Sequence, residues 1–428
     1  MSSAERRPPI ASRLSFLDGL RGVAIILMVI NHTSRDWMDV SMGWARYHLV
    51  YGSLIWPASI FLFLVGFCLP ISYHRRGESE GVLGDLRKYF RRGIGIIAAG
   101  YLLNVIMLPR GPVPPEERFW HGGVLQTIGL GIILLGPLVP VLRRQWARWM
   151  LLALAVLIYL SYGWSRPALA RWSAAHPVVG VMLFGDFPPW PWLSAALIGL
   201  VLGWVWLEAR ARGPEAEKRY FATAAVVGLV FLLAYDAWEF WMPTSPRFAF
   251  PRDWAVNHYW TPRGVTTFLI VAGDAWLLAI CYWLMEVRGW KLPWLVTLGQ
   301  TALVLYFVHQ LIEETLIHRA LGLRFNNWIL YWSANIALIV LCVYLGRLWQ
   351  AVKPRLRTML IAACVSFSTR YACRATNTRA SKPRRWRRKR QQYENSGTGC
   401  WESRARNLVS SRPARLKASA TGRSAGMK

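Results

Sequence analysis

The sequence predicts an all-α integral membrane protein, a polytopic bundle of about ten transmembrane helices with both termini cytoplasmic. Three observations carry that prediction. Hydrophobic residues make up 54% of 428 positions, too many for an ordinary soluble enzyme. Apolar stretches recur at lengths that match the roughly 30 Å hydrocarbon core of a bilayer. Basic residues collect in alternate loops between them, as they do on the cytoplasmic side.

The spans fall near residues 17–34, 52–73, 93–109, 122–142, 147–163, 190–207, 220–238, 263–287, 294–318 and 328–350. The first follows Arg6, Arg7 and Arg13 in the manner of a signal peptide, but no small-residue cleavage site succeeds it, so an uncleaved anchor is expected. After the second come Arg75, Arg76, Arg87, Lys88, Arg91 and Arg92. Arg143, Arg144 and Arg148 follow the fourth, and Arg210, Arg212, Lys218 and Arg219 the sixth. Those loops belong inside, and the sparsely charged loops between them belong outside. The tenth span ends near Lys353-Pro354.

Two regions result: a membrane domain over 1–352 and a basic tail over 353–428. The tail includes the run Lys382-Pro-Arg-Arg-Trp-Arg-Arg-Lys-Arg390 and holds much of the net charge of +29. With so little apolar content it is expected to be disordered, either a solvated tail without a further role or a binder of anionic inner-leaflet lipid. No nucleic acid partner is expected. The six cysteines show no CxxC pair and imply neither a disulfide framework nor a zinc site, so no metal is expected. Most of the 25 tryptophans flank the outside face and read as an interfacial belt.

Chemistry concentrates in the first span. Ionisable groups in a membrane helix are costly unless paired or in contact with a wet cavity, and are functional suspects for that reason. Arg21 and His32 stand eleven positions apart. At about 100° per residue they return to nearly one face, roughly 16 Å apart along the axis. Asp18, Ile25 and Met28 share that stripe. Arg21 at the inner end either binds phosphate or is a topology-setting arginine paired with Asp18. An imidazole at the outer end can work as a base near neutral pH.

His309 precedes Glu313 by four residues, so the two can share a helix face, and the imidazole either has its tautomer held by that carboxylate or makes an interhelical hydrogen bond in a polar bundle core. Asp274 lies in the middle of the eighth span and needs a partner or water. Gln126, Gln300, Asn104 and Asn335 read as hydrogen-bonding contacts between helices. Asp236 and Glu239 close the seventh span on the outer side.

The segment Asp18-Gly-Leu-Arg-Gly-Val-Ala24, six residues, then Asn31-His32 is followed by Ile60-Phe-Leu-Phe-Leu-Val-Gly-Phe-Cys-Leu69. This opening resembles integral membrane acyltransferases of two related families. The type-3 acyltransferases have an arginine, ten residues and a histidine in the first helix, as Arg21 and His32 do. The heparan-alpha-glucosaminide N-acetyltransferase family is similar over more of the chain. Gly123-Val-Leu-Gln-Thr-Ile-Gly-Leu-Gly131, Phe187-Pro-Pro-Trp-Pro-Trp-Leu193 with Gly199 and Gly203, and Leu298 to His309 extend the likeness from about residue 13 to 350.

The resemblance implies transfer of an acyl group, acetyl first of all, from acyl-coenzyme A on the cytoplasmic side to a sugar or glycan acceptor at the opposite face. Acyl-coenzyme A would be a co-substrate, with no tightly bound cofactor. Arg21, helped by Arg91 or Arg92, would hold its phosphates, with Asp18 and Glu313 in the same donor-binding set and His309 among the catalytic candidates. Asn31 would donate to the thioester oxygen, and His32 would take the acceptor's proton or carry the acyl group. In the heparan-modifying relatives the working histidine sits further along, in the first outside loop, where His48 is the nearest equivalent here. The remaining expectations are a multi-pass protein of the cell (inner) membrane and a possible homodimer. The competing reading is a proton-coupled transporter of a small polar solute, with Asp274, His309 and Glu313 as its relay.

Overall fold

A computed structural model describes residues 13–43, 56–76, 81–107, 119–184, 187–241 and 264–380. These residues are helical almost throughout. Twelve α-helices are named here in chain order. They are α1 (Ser15–Asp36), α2 (Trp56–Arg76), α3 (Gly81–Ile106), α4 (Val124–Leu135), α5 (Gln145–Ala175) and α6 (Pro177–Phe184), then α7 (Pro189–Ala211), α8 (Pro214–Trp241), α9 (Gly264–Tyr282), α10 (Pro293–Gln300), α11 (Ala302–Gln310) and α12 (Trp328–Ala380). Past Gln310 the chain winds on as a wider helix over Leu311–Ala320.

Five helical stretches are long and apolar enough to cross a membrane: Ser15–Asp36, Pro57–Arg75, Val124–Arg143, Pro177–Ala211 and Trp328–Arg355. A bent pair, Pro293–Gln300 with Ala302–Ala320, makes a sixth if it is one span. The protein is therefore a multi-pass membrane protein, with five or six qualifying spans among the described residues. The expected ninth span is not one rod, since its halves meet at 82°. Thr297 bonds back to the Pro293 carbonyl at 2.8 Å and Thr301 to the Thr297 carbonyl at 2.7 Å, contacts that bend helices.

Close approaches of backbone organise the bundle. A Cβ on Gly199 would sit 2.1 Å from the Phe63 carbonyl oxygen, and one on Gly203 2.4 Å from that of Phe67. This small-xxx-small stripe lets α7 lie directly on α2. The same device seats α10 on α1, where a Cβ on Gly299 would meet the Asp18 carbonyl oxygen at 1.8 Å and one on Gly22 the Leu295 carbonyl oxygen at 2.2 Å. Phe16 at the start of α1 packs edge-on against Trp206, Phe221 and Tyr282, with ring centroids 5.5 to 5.9 Å away. Ile25 and Met28 are 1% and 4% exposed, so the stripe carrying Arg21 and His32 faces the interior.

Beyond α1 the chain is clamped to the segment before α12. Asp39 N donates to the Phe325 carbonyl at 2.9 Å, and Phe325 N to the Trp37 carbonyl at 2.6 Å. Trp37 is buried, and its Nε1 donates to the Glu313 carbonyl at 3.2 Å. By its contacts the chain divides into Met1–Lys353 and Pro354–Lys428. The latter begins within the bounds of α12, whose last described residue is Ala380. Pro removes one helical N–H, but the Arg, Ala, Leu and Met around it favour helix.

Candidate functional site

The two ends of α1 hold two separate polar clusters. At the Ser15 end, Arg21 Nη1 donates to Asp18 Oδ1 at 2.7 Å and Nη2 to Cys68 Sγ on α2 at 3.0 Å. The second Asp18 oxygen accepts from Gln300 Nε2 at 3.1 Å, and Gln300 Oε1 accepts from Gln350 Nε2 at 3.0 Å. Four helices thus meet in one hydrogen-bonded network that begins at the guanidinium. Of its five N–H groups these contacts use two, and its side chain is 30% exposed, so it can take a further anion. Arg91 and Arg92 lie on exposed positions of α3, which packs against α4 and not α1. The structure does not bring them to Arg21. Gly100 and Gly129, which let α3 and α4 approach closely, explain that preference.

At the Asp36 end, His32 Nδ1 lies 3.3 Å from His309 Nε2, with ring centroids 5.2 Å apart. His309 Nδ1 is 2.8 Å from the Leu305 carbonyl oxygen, which can only accept. His309 therefore carries its proton on Nδ1. With both rings neutral, His309 accepts at Nε2 and His32 donates from Nδ1, so the network assigns the His32 lone pair to Nε2. His309 is fully buried, whereas His32 is partly exposed. One ring is open at its outer edge; the other stands behind it.

The surroundings hold α1 in place. Thr33 Oγ1 donates to Asn335 Oδ1 at 2.6 Å, and Asn335 Nδ2 to the Tyr331 carbonyl at 2.9 Å. Tyr331 Oη donates to the Ile30 carbonyl at 3.3 Å. Asn31 is 3% exposed, and its carbonyl accepts from Ser34 Oγ at 2.7 Å.

The structure corrects the expected partnership of Glu313. His309 uses its nitrogens on Leu305 and His32, and Glu313 does not hold its tautomer. Because the helix widens at Leu311, a four-residue spacing no longer puts the two side chains in contact. Nor does Glu313 reach the Arg21 cluster, as a donor-binding role would need. It lies with Asp36 and Glu314, their carboxylate oxygens within 4.8 Å of one another. Arg35 binds Asp36 through Nε at 2.9 Å and Nη2 at 2.8 Å, and Arg319 pairs with Glu314. The sequence reading missed Asp36, although its spacing of four from His32 on one helix was a usable signal.

Asp274 belongs elsewhere. Its Oδ1 accepts from Ser59 Oγ at 3.0 Å, both residues buried, and it lines a cavity of about 640 Å³ with Ser194, Tyr220, Arg212 and Arg219. It forms no relay with His309 and Glu313, which removes the observation behind the transporter reading. Gln126 and Asn104 bond the chain ahead of α4, to the carbonyls of His121 and, for Asn104, Phe119. His48 and the side chains of Asp236 and Glu239 lie outside the described residues.

A family model described as heparan-alpha-glucosaminide N-acetyltransferase, catalytic, matches residues 13–237. That match takes in Asp18, Arg21, Asn31 and His32 and ends before His309, so the late-helix likeness lies beyond it. No curated protein matches the chain.

Proposed function

The chain belongs to the heparan-alpha-glucosaminide N-acetyltransferase catalytic family, and from that membership we propose acyl transfer from acyl-coenzyme A to a sugar hydroxyl or amine at the opposite membrane face. One observation carries the chemistry. The Leu305 carbonyl, His309 and His32 form a chain that leaves His32 Nε2 as the available base. His32 takes the proton of the acceptor as the acceptor attacks the thioester carbon. General-base catalysis of this kind contributes about 10²–10⁴-fold.

Arg21 supplies the donor's anchor. Its remaining N–H groups suit a phosphate of coenzyme A, and loop charge supports a cytoplasmic position for this end of α1 in a cell membrane. Asn31, beside His32, is the proposed donor to the thioester oxygen as charge develops there. His48 remains the family-based alternative for the acyl-handling role.

The test uses purified full-length protein with labelled acetyl-coenzyme A and a panel of amino and neutral sugars. Label is expected to reach at least one acceptor in the wild type and to be lost with His32→Ala. Equal transfer by His32→Ala and the wild type would overturn the assignment of the base.

A further inference from the structure

Asp36 and Glu313 form a second rung beside the histidine pair. Asp36 follows His32 by four residues on α1, Glu313 follows His309 by four, and the two carboxylates approach within 4.8 Å. Glu313 is 0% exposed. Treated as a carboxylate, both of its oxygens are buried without a hydrogen-bond partner among the described residues. An ion in that condition is strongly disfavoured.

Counting charge decides what satisfies it. Asp36, Glu313 and Glu314 face Arg35, which is bidentate on Asp36 and 3.5 Å from Glu314, and Arg319, which pairs with Glu314. Among the described residues, three carboxylates against two guanidiniums leave one negative charge. His32 from α1 and Tyr331 from α12 are the other described titratable groups facing them. A single proton cancels the surplus and gives Glu313 an O–H to donate to Asp36. A divalent cation would instead leave one positive charge beside Arg35, with both Asp36 oxygens already engaged.

We propose that Asp36 and Glu313 share one proton and release it when His32 and His309 take up the proton of the acceptor. The proposal rests on the acyl-transfer reading for its role in turnover. As the acceptor attacks, its bond to the acyl carbon forms, the carbon–sulfur bond breaks and coenzyme A leaves as thiolate. The acceptor's proton passes to His32 Nε2, and the imidazole pair gains one positive charge. The shared proton leaves through Asp36, whose side chain is 13% exposed, so the total charge of the two rungs stays constant. Afterwards His32 gives up its proton at its exposed edge, the carboxylate pair regains one through Asp36, and the thiolate takes one from water on its own side. Both acids act through the histidines and not on the substrate.

The first test is infrared spectroscopy of the full-length protein at neutral pH. A carbonyl band of a protonated carboxyl group is expected in the wild type, shifting in heavy water and missing from Glu313→Gln. Kinetics with acetyl-coenzyme A follow. Glu313→Gln keeps a donor toward Asp36 but has no proton to release. Its kcat should fall at least about tenfold with KM for the donor unchanged, and one limb of the pH profile should vanish. Asp36→Asn should lose the same limb, and serves if the first variant does not fold. Absence of the wild-type band overturns the proposal. So does a wild-type pH profile in both variants, or a manganese titration that binds the cluster and removes the band. If the wild type acylates no acceptor, the acyl-transfer reading fails while the band still decides whether the proton is shared.

Discussion

His32 Nδ1 and His309 Nε2 meet at 3.3 Å although 277 positions separate them in the chain. The contact exists because the helix after Pro293 breaks at Thr301 and turns by 82°. Before the break Gln300 reaches Asp18, near the start of α1; after it His309 reaches His32, near the end. One broken helix therefore serves both ends of α1.

If His309 works by holding the tautomer of His32, the two must act as a unit. His32→Ala should lower kcat by about 10²–10⁴, and His309→Ala by about 10². The double variant should be no slower than His32→Ala alone, because effects within one unit do not add. Steady-state rates with labelled acetyl-coenzyme A measure this. Independent, multiplying losses would show that the contact at 3.3 Å has no catalytic meaning.

Arg21 spans Asp18 and Cys68 with a planar fork that a lysine ammonium does not reproduce. Arg21→Lys is expected to raise KM for acetyl-coenzyme A about tenfold, equivalent to about 1.4 kcal/mol, with kcat within about twofold. A fall in kcat at constant KM would move Arg21 from donor binding to the chemical step.

The seat of α10 on α1 leaves no room at Gly299, where the obstructing atom is the backbone oxygen of Asp18. Gly299→Ala should cost about 1–3 kcal/mol or more and lower the apparent melting temperature of the purified protein by several degrees. Gly95, with nothing within 4 Å of an added Cβ, is the control. Alanine there should be neutral or slightly stabilising, since Gly inside a helix costs roughly 0.5–1 kcal/mol. Thermal melts of the two variants side by side decide the matter.

Asp274 tests the transporter reading. Asp274→Asn keeps a group that Ser59 can bond and should leave acyl turnover within about twofold, whereas Ser59→Ala strands a buried acid at a cost of about 1–3 kcal/mol. A proton-coupled uptake that disappears with Asp274→Asn, in a protein without acyl turnover, would restore transport as the function.

Much of the site was legible from residue spacing. Arg21 and His32 share one stripe because an α-helix repeats every 3.6 residues, and Ile25 and Met28 between them are buried as that stripe requires. The polar roles of Gln300, Asn335 and Asp274 followed from the cost of leaving such groups unbonded among apolar helices. The pairing of His309 with Glu313 was misread because the four-residue rule assumes a helix that keeps its pitch, and this one widens at Leu311. Arg91 and Arg92 lie on a helix packed against α4, because charge in a loop bears on a side of the membrane and does not name a neighbour.

By itself the sequence determined the helical membrane class, the family and the polar stripe of α1, because composition, periodicity and ordered motifs are local properties of a chain. Tertiary structure alone decided which histidine backs His32, which acid stays away from Arg21, and that Asp36 completes the second rung. Those contacts depend on a bend at Thr301 and on glycine-sized gaps between helices, and side chains hundreds of positions apart meet only once those are formed.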